Sequence, residues 1–217
     1  MKDKNIIICD IDGTIANVQH RLHYIKNPDG SKKSFKDTDW DSFHKACVDD
    51  TPYDDVIEVL RSLVVGHDNR EVYFFSGRNS SVRKETWRWL EAHVKETVMP
   101  SDFSPQQLQM RSENDRRPDT VVKLEIMQGL GFTPDDVLCI LDDRQSVVDM
   151  WRENGFRVMQ VDAWKEEGGY RQSADGSPVE DTGRGTWREE LKAALKAADT
   201  DEMTRNWRQK IDPKDIH

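Results

Sequence analysis

Along the chain, short apolar runs alternate with longer segments whose apolar positions recur at helical spacing. Ile6-Ile7-Ile8-Cys9, Val72-Tyr73-Phe74-Phe75 and Val137-Leu138-Cys139-Ile140-Leu141 are continuous rather than alternating. Runs of this kind predict strands buried on both faces, as in a parallel sheet covered by helices. Weaker strands are predicted at Leu108 to Met110 and at Arg157 to Val161. Thr51-Pro52 followed by Asp54-Asp55 predicts a helix start, with a capping hydroxyl, a proline in the first turn and acids at the positive dipole end. Val56, Ile57, Val59, Leu60 and Leu63 give that helix its core face, and Gly66 stops it. Further helices are predicted at about 79–95, 119–130 and 144–154, the last two ending at Gly131 and Gly155. The order βαβαβαβαβ, over about 160 residues, is that of a Rossmann-like α/β domain with a mainly parallel five-stranded sheet.

Two segments stand outside this pattern. Residues 17–50 separate the first strand from its helix by far more than a βα loop of roughly 2–6 residues. They contain Tyr24, Phe35, Trp40 and Phe43, enough to pack a small lid. The other segment is the extension at 163–217, which follows a domain set at 1–162. Glu166 to Gly185 is rich in Gly, Ser, Asp and Arg and reads as a linker. Thr186-x-x-Glu189 then forms a capping box ahead of a helix with Trp187, Leu191, Ala194, Leu195 and Ala198 on one face. That helix packs back on the domain or serves a contact with a partner or between subunits of a homo-oligomer. The chain has no internal repeat.

Composition narrows the class. The 217 residues are 35% hydrophobic and 34% charged, and no apolar run approaches the roughly 20 residues of a membrane span. Cys9, Cys47 and Cys139 are odd in number and widely spaced, which fits neither a disulfide framework nor a zinc site. With no signal-peptide pattern at the start, a reducing, cytoplasmic setting is expected. Acids outnumber bases 41 to 32, for a net charge of −9. That balance disfavours a broad basic face for long nucleic acid, and it is compatible with a few local arginines grasping one phosphate.

Candidate chemistry sits at the carboxyl ends of the predicted strands, where α/β folds build their sites. Asp10-Ile11-Asp12-Gly13-Thr14 follows strand one. Carboxylates at i and i+2 leave an extended chain on one side, and Gly13 lets the backbone turn beside them. One can attack phosphorus while its neighbour handles protons. Ser76-Gly77-Arg78 follows strand two and offers a hydroxyl, a flexible amide and a guanidinium able to grip two phosphoryl oxygens. Lys123 lies in the first turns of a helix whose Val121, Leu124 and Met127 face the core. Asp119, four residues earlier, is positioned to hold its ammonium. Asp142-Asp143-Arg144 closes strand four, and its adjacent carboxylates need a positive partner. Hard oxygen ligands without His or Cys point to Mg²⁺.

In this order the motifs resemble the haloacid-dehalogenase-like (HAD) phosphatase superfamily, a three-layer fold, across residues 5–161. The resemblance implies that Asp10 is the nucleophile and becomes an aspartyl phosphate. Asp12 would be general acid and then base. Ser76, Gly77 and Thr14 would meet the phosphoryl group, and Lys123 would neutralise it. Mg²⁺ would be held by Asp10, the carbonyl of Asp12 and the Asp142-Asp143 pair, with Asp143 favoured as the direct ligand. Arg21 lies nine residues after Asp12. The stretches from Met110-Arg111 through Asp115, Arg117, Asp119 and Lys123, and from Asp142 to Arg152 and on to Val161, add their own spacing. These look like the 3′-phosphatase domain of phage polynucleotide kinase-phosphatase. That likeness implies that Arg21, Arg78, Arg117, Asp119 and the Asp142-Asp143 pair serve activity or the substrate. No G-x-x-x-x-G-K-[ST] occurs, so no kinase activity is expected.

The leading expectation is thus a phosphomonoesterase for polynucleotide 3′-phosphate ends, its partner a nucleic acid end or nucleotide and never a membrane. Arg78, Arg83, Arg111, Arg116 and Arg117 are available for backbone phosphates. The alternative is a nucleotidase for 5′-monophosphates, whose lid aromatics would stack on a base. A non-catalytic phosphate-binding relative would carry damage at the nucleophile or acid, and both carboxylates are present.

Overall fold

The structure, a computed structural model, describes residues 4–34, 36–67, 69–98 and 104–161. The predicted linker and helix within 163–217, and with them any oligomer contact there, lie outside these residues, as does Phe35. Five strands form one sheet: Ile6–Asp10 (β1), Glu71–Asn79 (β4), Leu108–Arg111 (β5), Val137–Asp142 (β6) and Val158–Gln160 (β7). Their order is β5-β4-β1-β6-β7, and every neighbouring pair is parallel. The chain builds outward from β1 on one side and then returns to the other. This reversal opens a crevice at the carboxyl end of β1, where Asp10 is the last strand residue.

Burial explains the continuous apolar runs. Every residue of β1 is buried. Ile7, Cys9, Phe74, Leu108 and Leu141 pack in one cluster with Ile57 and Leu60 of Asp54–Val64 (α2) and Trp89 and Leu90 of Arg83–Leu90 (α3). On the opposite face Phe75 meets Trp151 of Gln145–Glu153 (α6), while Val121 and Met127 of Asp119–Leu130 (α5) are buried. Helices therefore cover both faces, giving three layers. Cys9, Cys47 and Cys139 are free and buried. Among the described residues no helix is long and apolar enough to cross a membrane.

Three boundaries differ from expectation. Thr51-Pro52 is not a helix start; it is a short strand (β3) paired antiparallel with Ala16–Asn17 (β2). A residue before proline is driven to extended backbone, so α2 begins only at Asp54, after Tyr53 has donated its N–H to Ile15 O. The helix expected from about residue 79 begins later, because Asn79 still belongs to β4 and caps a 3₁₀ turn at Ser80–Val82. α3 then continues through a π-helical turn, Glu91–Lys95, into Glu96–Val98 (α4). The last strand is confined to 158–160.

The β2–β3 pair bounds the insertion expected at 17–50. Within it lie a 3₁₀ stretch at Gln19–Tyr24, the helix Trp40–Lys45 (α1) and a 3₁₀ turn at Ala46–Asp49. Asp39 caps α1 by accepting from Ser42 N at 2.9 Å.

Candidate active site

Beyond Asp10 the chain turns at once. Gly13 has φ of +88°, in the left-handed region where only glycine is unstrained. The amides of Thr14, Ile15 and Ala16 all point back to Ile11 O. This compact turn delivers Asp10, Asp12 and Thr14 to one crevice. A cleft of about 420 Å³ opens there, lined at its base by Asp10, Asp12, Lys123, Asp142 and Asp143.

Lys123 is the centre of the buried end. Its Nζ donates to Asp10 Oδ1 at 2.6 Å and to Asp142 Oδ2 at 2.8 Å. The expected pairing with Asp119 does not form. Asp119 instead accepts from Arg111 of β5 and from Arg144 at the start of α6, because strand-end carboxylates take the lysine first. Thr14 Oγ1 lies 3.4 Å from both Asp10 Oδ2 and Asp143 Oδ1. Asp142 Oδ1 also accepts the backbone amide of Arg144 at 3.2 Å.

Asp10, Asp142 and Asp143 each offer a carboxylate oxygen, all within 4.8 Å of one another. Three acids around one lysine leave negative charge in excess. Burial, with Asp142 and Asp143 adding to it against Lys123, raises Asp10 well above the usual carboxylate range. Burial and then Asp142 push Asp143 up to about 7. Burial alone would lower Lys123, but Asp10 and Asp142 outweigh it and hold the ammonium charged. Crowded, desolvated carboxylates with only oxygen donors are the setting a hard divalent cation relieves. The three aspartates fit such an ion.

Asp12 belongs to a different group. Its Oδ1 accepts from Arg78 Nε and Nη2 at 2.8 and 2.6 Å and from Arg21 Nη2 at 2.7 Å. Both guanidinia are fully buried. They meet again on Asp50, whose Oδ2 accepts Arg21 Nη2 at 2.7 Å and Arg78 Nη2 at 2.6 Å, and whose Oδ1 accepts Arg21 Nε at 2.7 Å. Burial works against the Asp12 charge, yet Arg78 and Arg21 prevail and hold its carboxyl far below the usual range. Arg21 also lies 4.2 Å above the Phe43 ring, tying the insertion to this group.

Asp50 is the residue sequence reading missed. It is buried; His20 bonds its carboxylate, and Trp89 Nε1 donates to its carbonyl at 2.7 Å. Its arginine partners are 29 and 28 positions away, so no local motif marks it.

The remaining predicted residues divide clearly. Ser76 is wholly buried, and its Oγ accepts from Arg78 N at 3.1 Å. Gly77 lines the cleft. A Cβ there would stand 2.6 Å from Asp119 Oδ1, so glycine makes room for the Asp119 carboxylate. Burial opposes the charge on Asp119, but Arg144, Lys123 and Arg111 hold it down at about 2. Arg117 sits at the cleft wall, paired with Asp115 and Glu125. Of the arginines considered for backbone phosphates, Arg78 is occupied by Asp12 and Asp50. Arg83 donates to Pro105 O and Leu108 O. Arg116 lines the cleft and is exposed.

Residues 4–165 match the family described as the polynucleotide kinase PNKP phosphatase domain. The chain belongs to that family. It is accordingly a phosphatase domain of the HAD type. A protein of Autographa californica nuclear polyhedrosis virus, described as a bifunctional polynucleotide kinase/RNA ligase, is 26% identical over 147 residues, 68% of this chain and 18% of the viral one. A chain in the structure of the Pnkp1/Rnl/Hen1 RNA repair complex is 28% identical with a TM-score of 0.54, over 73% of this chain and 42% of that one. A predicted phosphatase from Clostridium acetobutylicum shares the fold at 14% identity and a TM-score of 0.50, over 74% of this chain and 85% of that one. The chain thus spans less than half the length of the two polynucleotide-repair relatives.

Proposed function

We propose that this PNKP-type domain is a Mg²⁺-dependent phosphomonoesterase that acts through an aspartyl phosphate on polynucleotide 3′-phosphate ends, without kinase activity. The observation that carries the proposal is the Lys123 ammonium bridging Asp10 and Asp142 beside Asp143, at the base of a cleft that also holds Asp12. Asp10, Asp142, Asp143 and the Asp12 carbonyl would hold the cation. When bound, the ion supplies positive charge against the phosphoryl oxygens and the crowded carboxylates.

The chain's own residues divide the work. Asp10 Oδ1 is held by Lys123, which leaves Oδ2 to attack phosphorus. As the new P–O bond forms, the bond to the substrate's ester oxygen breaks, and that oxygen takes a proton from Asp12. Water then attacks the phosphorus of the aspartyl phosphate and gives its proton to Asp12, releasing phosphate and restoring Asp10. With both guanidinia in place Asp12 is a carboxylate, ready for the water step. An incoming phosphate dianion favours the acid form through like-charge repulsion, and the proton given to the ester oxygen is the one Asp12 gained in the preceding water step or one it takes up from solvent. Lys123 steadies charge on the transferring group throughout. Together these must supply about 20 kcal/mol, given how slowly phosphate monoesters hydrolyse unaided.

The choice of a nucleic acid end is supported by the family and by relatives described as polynucleotide kinase/RNA ligase and RNA repair proteins. The cleft volume suits one nucleotide rather than a duplex. Phosphate release should be measured with Mg²⁺ on a 3′-phosphorylated oligonucleotide, a 3′-mononucleotide, a 5′-mononucleotide and ribose 5-phosphate. The oligonucleotide is expected to give the highest kcat/KM. Turnover confined to 5′-mononucleotides would replace this reading with a nucleotidase.

A further inference from the structure

The cleft has two unlike sides. Its base is charged and fixed by the carboxylates and Lys123. Its lid side is aromatic, formed by Trp40, Phe43 and His44 of α1. Trp40 is 43% exposed and lines the cleft, so its indole face is open to a ligand there. Phe43, by contrast, is buried, and its ring supports Arg21. The indole is not loose: it meets Phe43 edge-on with ring centres 5.7 Å apart and lies near-parallel to His44 at 5.8 Å. His44 Nδ1 is shielded from water and has no hydrogen-bond partner. A shielded polar atom in a cleft lining is left without a partner at a cost, unless a bound group meets it.

We propose that this wall is the seat of the substrate's terminal nucleobase, with the Trp40 indole as its stacking platform and the His44 ring as the support that orients the indole. The inference rests on the phosphomonoesterase reading above and adds the part of the leaving group that is recognised. Phosphorus must lie at Asp10, so the nucleoside extends from there into the cleft, where Trp40, Phe43 and His44 offer its aromatic lining. Its base has a π-face of the kind an exposed indole takes from single-stranded nucleic acid whatever the sequence. The lid aromatics and the buried tie from Arg21 to Asp12 belong to the same inserted segment. Stacking therefore positions the nucleoside against the element that holds the proton-transfer group.

The test compares the native chain with Trp40→Ala and Trp40→Phe on two 3′-phosphorylated oligonucleotides that differ only at the terminal residue. One carries a normal base and the other a tetrahydrofuran abasic analogue. Trp40→Ala should raise KM for the base-bearing end by about 5- to 150-fold, the span of one base on one aromatic ring, with kcat nearly unchanged. Trp40→Phe should keep most of the affinity. On the abasic end the native chain and Trp40→Ala should be alike, which separates lost stacking from a damaged fold. Equal losses on both ends, or no loss on the base-bearing end, would overturn the platform. If only 5′-mononucleotides are turned over, the 3′-end reading fails while the platform is still judged, by the same variants on a 5′-mononucleotide against ribose 5-phosphate. No turnover of any of these by the native chain would overturn both.

Discussion

Around Asp10, three carboxylates crowd together and one lysine bonds two of them; around Asp12, two carboxylates share two guanidinia. The two aspartates leave the same strand end two residues apart, yet their carboxyl groups are shifted in opposite directions. In the first group carboxylates outnumber the ammonium that bonds them, and a proton or a cation would offset the excess. In the second the charges balance within the protein, and the cluster is complete as folded. Residue type is identical, so the partners brought by distant elements assign the role. Lys123 comes from α5, Arg78 from the end of β4 and Arg21 from the insertion.

The largest expected effects break this contrast at its two carboxylates. Asp10→Asn removes the attacking oxygen and is expected to lower kcat on a 3′-phosphorylated oligonucleotide by at least about 10⁴-fold. Asp12→Asn should cost about 10²–10⁴-fold, the range of a lost general acid–base. Phosphate release with Mg²⁺ measures both. An Asp10→Asn chain that keeps a tenth of native turnover would end the assignment of the nucleophile.

Asp50 sharpens the contrast without touching substrate. Asp50→Asn leaves two buried guanidinia sharing one carboxylate. Breaking a buried pair costs about 3–5 kcal/mol, and urea unfolding should register a loss of that order. Among molecules still folded, kcat should fall by about 10-fold or more while Mg²⁺ affinity stays native, because the Asp10 group is untouched. A Mg²⁺ affinity that falls with kcat would mean the two groups are one unit.

The fold was largely legible because continuous apolar strands and glycine-stopped helices are local signals. Ile6 to Cys9 and the α5 stop at Gly131 needed no knowledge of distant residues. The Thr51-Pro52 strand was misread because a proline after a hydroxyl serves a helix start and an extended pre-proline turn equally well. In the site, Asp10, Asp12, Lys123 and the Asp142-Asp143 pair stood out through their order along the chain, at successive strand ends and in the first turns of a helix. Which acid pairs with which base was not legible. Spacing of four suggested Asp119 for Lys123, but two strand ends supply closer carboxylates, and Asp119 turns to Arg111 and Arg144. Asp50 was invisible for the same reason: its role exists only once the insertion folds back over β4.

The smallest effect concerns stability and follows from charge excess in the Asp10 group. Asp143 titrates near 7 in the folded chain against an ordinary value of 3.8. Between those values the folded state binds more protons than the unfolded one, so its contribution is full below about pH 4 and is lost as pH rises through 7. Asp12 and Asp119 are shifted the other way, but they titrate below this window. His44, lowered to about 4 by burial, opposes the trend only between pH 4 and 6.5. The clean interval is therefore pH 6.5 to 8. Over it the metal-free chain should lose a few degrees of Tm, since about 1 kcal/mol moves a chain of this size by about 2–4 °C. Asp143→Asn should reduce that slope, and Asp10, raised in the same direction, sustains what is left. Mg²⁺ at about 100 times its Kd should add roughly 2.7 kcal/mol at pH 8, and less at pH 6.5, where protons compete for the same carboxylates. A metal-free Tm that rises over the interval would place the charge excess elsewhere. The contrast between Asp10 and Asp12 would then no longer rest on crowded carboxylates around Asp10.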